Sequence, residues 1–203
     1  MSRCRCGPNV LLTQLDPDEL VLLGQLIEAL RRAVANPVLG GRLPEVVVAE
    51  PGSDDEQLAW LAAQFAAPGG DGPGAGDLPD PALRRLFPDP CPTDPEVSAD
   101  LRRLTLTEQR QAKIRASQTV LDDMTSVDAA GVIPVQPDRA VDWMMTLTAV
   151  RLLLAARMGI EKDEDEEAME RLAEDDPDYW AYTVYMWLGW LQESMLDCLI
   201  DLD

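Results

Sequence analysis

Residues 138–158 read DRAVDWMMTLTAVRLLLAARM, and the spacing of their apolar side chains decides the fold class. Ala140, Trp143, Leu147, Val150 and Leu154 recur at intervals of three and four, the period of one face of an α-helix. Gly159 follows at the position where helices often close with a left-handed residue, so the helix is expected to end there. A seam this apolar has to be buried against other elements. Arg151 falls within about 40° of Leu147 by the helical period, which places a charge where the pattern predicts burial.

Toward the C-terminus, a further helix starts near Pro177 and runs to about Ile200, with Trp180, Val184, Trp187, Leu188, Leu191, Met195 and Cys198 on one side. It holds six of the ten aromatic residues, and Tyr179, Tyr182, Tyr185 and Trp190 spread beyond a single face. Those four are candidates for a protein interface, although a core helix packed on both sides gives the same pattern. Between the two helices, residues 161–178 carry 11 acids and two bases, nearly half of the net charge.

Toward the N-terminus, Asp94-Pro95-Glu96 marks the start of a helix that continues to about Asp123. On it Val97, Leu101 and Leu104 share a face with Glu108, Gln111 and Arg115, so the expected buried side turns from aliphatic to charged. Glu108, Arg115 and Arg151 are therefore expected to form a buried ion network, and Arg102, Arg103, Arg110 and Lys113 to lie outward. A capping signature at Asp16-Pro17-Asp18-Glu19 opens a helix to about Ala35 with the stripe Leu20, Leu23, Ile27, Leu30 and Val34. Ser53-Asp-Asp-Glu56 starts a short second helix, Val46 to Val48 reads as strand or loop, and Asp80-Pro81 starts a single turn over 82–87. Residues 67–79 are rich in Gly and Pro and read as a flexible linker. Residues 3–13, with Gly7-Pro8-Asn9 at their centre, allow a short hairpin. The chain is thus expected to be one mainly all-α domain over 1–203, a bundle of about five helices with a short N-terminal β-hairpin.

The composition narrows the function. Thirty-seven acidic and 17 basic residues give a net charge of −20, which phosphate backbones and anionic lipids repel, so no direct nucleic-acid or membrane contact is expected. The absence of histidine removes the commonest general base and most zinc and haem ligand sets. No phosphate loop or nucleophile elbow is found, so no catalytic residues, metal or cofactor are expected and the protein is not read as an enzyme. The longest uncharged runs are 14 residues, short of a spanning helix, and no secretory signal opens the chain. A cytoplasmic protein follows as the expectation.

Four scattered cysteines point to a reduced state. Cys4 and Cys6, flanked by Arg3 and Arg5, are the redox candidates, because nearby cations favour the thiolate. Reversible oxidation, a metal site completed by Cys91 and plain thiols remain three readings of this pair. Cys198 reads as a small core residue.

The segments DPALRRLFPD (80–89), DLRRLT (100–105), Trp143 to Arg151, Arg157 to Ile160, and VYMWLGWLQE (184–193) resemble the actinobacterial DUF2017 family. The resemblance covers about the last 120 residues, and its most specific run is Trp-Leu-Gly-Trp-Leu-Gln-Glu. It implies an all-helical cytoplasmic protein, often encoded beside the adaptor of the Clp protease, with some members described as oxidative-stress transcriptional regulators acting through a sigma factor. That description rests on a Cys-x-x-x-Cys pair, where this chain has Cys4-x-Cys6. Thr148-Ala149 stands where the family typically shows Asn-Asp. The expected function is a protein-binding regulator of transcription acting through a sigma factor or RNA polymerase, with cysteine oxidation as its trigger. The alternative is a constitutive adaptor or scaffold linked to Clp-dependent turnover.

Overall fold

A computed structural model of the chain describes residues 3–7, 10–35, 78 and 80–202. The expected helix at 53–65, the segment 46–48 and the linker 67–79 lie outside the described residues, apart from Leu78, which is buried in the core.

The fold is mainly helical with a small antiparallel sheet near the N-terminus. Strands β1 (Arg3–Gly7) and β2 (Val10–Gln14) form the hairpin. A third strand, β3 (Val132–Val135), joins the other side of β2 and sets Pro134 opposite Leu12. The sequence reading missed β3, whose four residues include a proline. Proline cannot donate to a ladder and is confined to sheet edges or bulges, which is where the order β1-β2-β3 puts it.

Six helices are described: α1 (Pro17–Ala35), α2 (Pro81–Leu86), α3 (Pro95–Met124), α4 (Ala140–Arg157), α5 (Asp163–Met169) and α6 (Pro177–Leu202). The first helix starts as its sequence dictates. Glu19 N–H donates to Asp16 Oδ1 and Asp16 N–H donates to Glu19 Oε2, both at 2.9 Å, a reciprocal capping box. Asp80 and Asp94 cap α2 and α3, each with proline next in the chain. At the end of α4, Gly159 takes φ +72° and Ile160 N–H donates back to Ala155 O at 2.8 Å, which closes the helix in a Schellman turn. The α5 helix falls within the acidic segment, where no apolar period announced it.

One buried cluster draws on α1, α2, α4, α6, β2, β3 and Val120 of α3. Trp143, Leu147, Val150 and Leu154, the seam read from the sequence, are each fully buried. Trp143 also satisfies its indole N–H, which donates to Asp123 Oδ2 at 2.9 Å.

The α3 helix corrects the sequence reading. Val97, Leu101 and Leu104, expected inside, are 45%, 38% and 78% exposed. The inward side runs instead through Arg102, Leu106, Arg110, Lys113, Ser117, Val120 and Met124. Arg102 pairs with Asp89 on the segment before the helix, while the charged ends of Arg110 and Lys113 lie 6.0 and 5.6 Å from the centre of the Phe87 ring. Cations held over an aromatic ring are attracted to its face, so a face that looks polar in sequence becomes the packed one.

Candidate functional site

The buried ion network expected of Glu108, Arg115 and Arg151 is not formed. Glu108 and Arg115 are exposed, and no ion pair joins either to Arg151. The cause is the inverted face of α3, which turns both residues toward solvent. The buried pair lies elsewhere. Arg157 of α4 donates through Nη1 and Nη2 to Asp80 Oδ1 and Oδ2 at 2.8 and 2.6 Å, with side chains 10% and 4% exposed. This bidentate clamp fixes α2 on α4.

Arg151 has a different setting, at a cleft of about 290 Å³ between α4 and α6. Its Nη1 donates to Gln192 Oε1 at 3.0 Å, and its Cζ lies 4.6 Å from the centre of the Tyr185 ring. Gln192 is held in turn, since its Nε2 donates to Thr148 Oγ1 at 2.7 Å and to Met144 O at 3.4 Å. Thr148, at a departure from the family pattern, thereby positions the amide that positions the arginine. Gly189 makes room for the guanidinium: a Cβ there would lie 3.1 Å from Cζ and from Nη2. Arg85 of α2 lines the same cleft and donates to Ile160 O. Residues from three of the segments that carry the resemblance therefore meet here, a convergence that linear reading did not reveal.

The cysteines converge on a neighbouring side of α6. The N–H of Cys4, on the edge strand β1, donates to Ser194 Oγ at 3.0 Å, which fastens the strand to the helix. Cys4 Sγ lies 3.6 Å from Thr13 Oγ1, and Cys6 Sγ lies 3.6 Å from the Cys198 carbonyl oxygen. Cys4, Cys6 and Cys198 line one open cleft of about 530 Å³ with Trp190, Glu193 and Asp201. All three thiols are free. Cys198 is buried in the core as expected, and it also meets the pair on β1. Cys91 stands apart, 3.8 Å from Thr93 Oγ1, so the structure does not bring it to the others. Among the described residues no group of three or more Cys, Asp or Glu is arranged to hold a metal ion.

Electrostatics here run against the expectation of activated thiolates. The adjoining Cys198 thiol, then burial and the charge of Asp201, push Cys6 up to about 11. Burial also raises Cys4 and Cys198, and in both it outweighs the hydrogen bonds that lower them. Arg5 is exposed, and Asp201 Oδ2 at the acidic end of α6 lies 3.9 Å from the Cys6 sulfur.

Of the interface candidates, Tyr182 is buried and stacks on Tyr185 with ring centres 6.1 Å apart, while Tyr179 and Tyr185 are half-buried. Trp190 alone of the four is exposed. It stands on α6 with Met186, Leu196 and Ile200, whose side chains are also exposed. None of the helices described is long and apolar enough to cross a membrane.

A mainly helical fold with a hairpin fastened to its last helix, carrying a thiol cleft and an arginine cleft on neighbouring sides of that helix, defines the class. Residues 1–199 match the family model described as "Domain of unknown function (DUF2017)", and the chain belongs to that family. No curated protein and no solved structure matches it.

Proposed function

We propose that this chain is a protein-binding regulator of transcription that acts through a sigma factor or RNA polymerase, with thiol oxidation as its trigger. The observation that carries the reading is the meeting of Cys6 and Cys198 beside exposed Trp190. A bond between these two thiols would tie β1 to α6 at the rim of an apolar surface that a partner reads. Cys198 is the better partner for Cys6 than Cys4 is, because neighbouring alternate residues of a paired strand are too far apart for an unstrained disulfide. In the chemistry proposed, hydrogen peroxide takes two electrons from the Cys6 sulfur to leave a sulfenic acid and one water. The Cys198 thiol then displaces the second water as the disulfide forms.

The test is affinity capture of partners from native cytosol by the full chain, reduced or peroxide-treated, beside Cys6→Ser. A sigma factor or polymerase subunit whose recovery changes with peroxide in the parent, and not in Cys6→Ser, supports the reading. Recovery that is the same in all arms supports the second reading, a constitutive adaptor or scaffold in Clp-dependent turnover. The raised thiol pKa values favour that second reading, since protonated thiols react slowly with oxidants at neutral pH.

A further inference from the structure

We infer that the cleft at Arg151 is an anchoring site for a carboxylate carried by a polypeptide partner, either an acidic side chain or a chain terminus. The assignment rests on the protein-binding reading but is independent of its redox trigger.

The argument starts from what the guanidinium leaves unused. Nη1 is committed to Gln192, and one ring face rests toward Tyr185. Nε is buried without a hydrogen-bond partner, and Nη2 bonds no protein atom among the described residues. Nε faces the α6 backbone at Gly189, so Nη2 is the donor left for a ligand, and a carboxylate oxygen is the acceptor that forms a charge-assisted bond to it. Among the described residues no carboxylate pairs with this arginine at the wall of a cleft. Its position is nevertheless constrained from several sides. Thr148 orients Gln192, Gln192 holds Nη1, and Gly189 lets the plane lie close to α6. A donor that is pre-set and unoccupied loses little entropy on binding.

The rest of the cleft decides which anion fits. Met144, Leu152, Ala155 and Leu196 make its walls largely apolar, and Arg85 adds a second positive charge. A phosphate would bring about two negative charges and three oxygens to a site with one free donor. A carboxylate on an aliphatic body matches both that donor and the walls. At about 290 Å³ the cleft lies at the lower bound of small-molecule pockets, the size for one anchoring residue of a longer chain. Glu193, exposed at the rim, opposes an incoming anion and so tunes the site toward weak, reversible capture. The general repulsion of the −20 chain is screened beyond roughly 8 Å at physiological salt, which leaves the short-range pair in control.

Isothermal titration of the full chain with three acetylated tripeptides tests this: one ending in leucine with a free carboxylate, its C-terminal amide, and an amide carrying an internal glutamate. Binding of the free carboxylate at least tenfold tighter than the leucine amide is expected. Affinity of the glutamate peptide for the parent then shows whether side chain or terminus is the source. Arg151→Lys keeps the charge and loses the fork, so it should weaken binding at least tenfold, whereas Glu193→Gln should strengthen it. If Arg151→Lys does not fold, Gly189→Ala displaces the guanidinium while favouring the helix, and the same loss is expected. Equal binding of leucine acid and amide, displacement by equimolar inorganic phosphate, or full affinity in both Arg151→Lys and Gly189→Ala would overturn the assignment. Carboxylate binding at Arg151 with no partner captured from cytosol would sink the functional reading and leave the site. Partner capture without carboxylate binding would do the reverse.

Discussion

Replacing Asp80 by alanine removes two things at once: the bidentate partner of Arg157 and the side-chain cap of α2, which accepts from Ala82 N–H at 2.9 Å. With Asp80 4% exposed and Arg157 10% exposed, solvent cannot take over the lost bonds. Breaking a buried pair by deleting one partner costs roughly 3 to 5 kcal/mol, because the other charge stays buried and unpaired. Losing an Asp cap adds about 1 kcal/mol. The two losses share a site and will not add fully, so about 4 kcal/mol is expected for Asp80→Ala. Asp80→Asn retains a cap acceptor and should be less damaging by roughly the cap's worth.

Urea unfolding followed by circular dichroism reads these numbers, and a 203-residue chain should also lose on the order of 10 °C in Tm. A double-mutant cycle with Arg157→Met isolates the pair: since a buried pair replaced by apolar groups is often near neutral, the double variant should recover a large part of the loss. Raising salt to molar levels should change little, as buried pairs are weakly screened. A loss under about 1 kcal/mol for Asp80→Ala, or strict additivity in the cycle, would refute the reasoning.

Two further outcomes are expected. Because the folded thiols titrate above their ordinary value of 9.0, with Cys6 at about 11, their contribution to stability is complete below pH 9 and is lost as pH rises through 11; alkylation of Cys6 should follow the same rise, and rapid labelling at pH 7 would contradict it. Gly131 has φ +77° and its Cβ position lies 2.1 Å from the Leu15 carbonyl oxygen, whereas Gly159 at φ +72° has nothing within 4 Å, so Gly131→Ala should cost well over the roughly 1 to 2 kcal/mol expected for Gly159→Ala; equal losses in chemical denaturation would show that the close approach does not matter.

What was legible in the sequence was local. The capping box at Asp16 and Glu19, the caps at Asp80 and Asp94, the Gly159 terminus and the seam of α4 each depend on residues within a few positions, where helical period and backbone preference act directly. The inward face of α3 was not legible, because Arg110 and Lys113 are half-buried with their charged ends over the Phe87 ring, and a binary apolar pattern assigns them outward. The ion network failed with that face. The Asp80–Arg157 clamp, the Thr148–Gln192–Arg151 relay and the contact of Cys6 with Cys198 join residues far apart in the chain, and no spacing rule reports which distant polar groups meet.

The last helix is where these distant contacts acquire a common mechanical basis. On one side α6 offers Ser194 and Cys198 to β1; on another it offers Tyr185, Gly189 and Gln192 to Arg151; and Glu193 lines both clefts. Its fully buried residues Ala181, Leu188, Leu191 and Met195 lock it against the core, so the helix transmits a displacement as a rigid element and does not absorb it. A covalent tie from Cys6 to Cys198 would draw α6 toward β1 at a point six residues from Gln192, the group that sets the Arg151 fork. Any change this makes in carboxylate affinity must, by linkage, be matched by an equal effect of the bound carboxylate on the thiol–disulfide equilibrium. The two proposals are therefore separable by experiment, and if the tie shifts Gln192 they are also coupled through α6, with a sign set by whether that shift brings the Arg151 guanidinium toward the cleft or away from it.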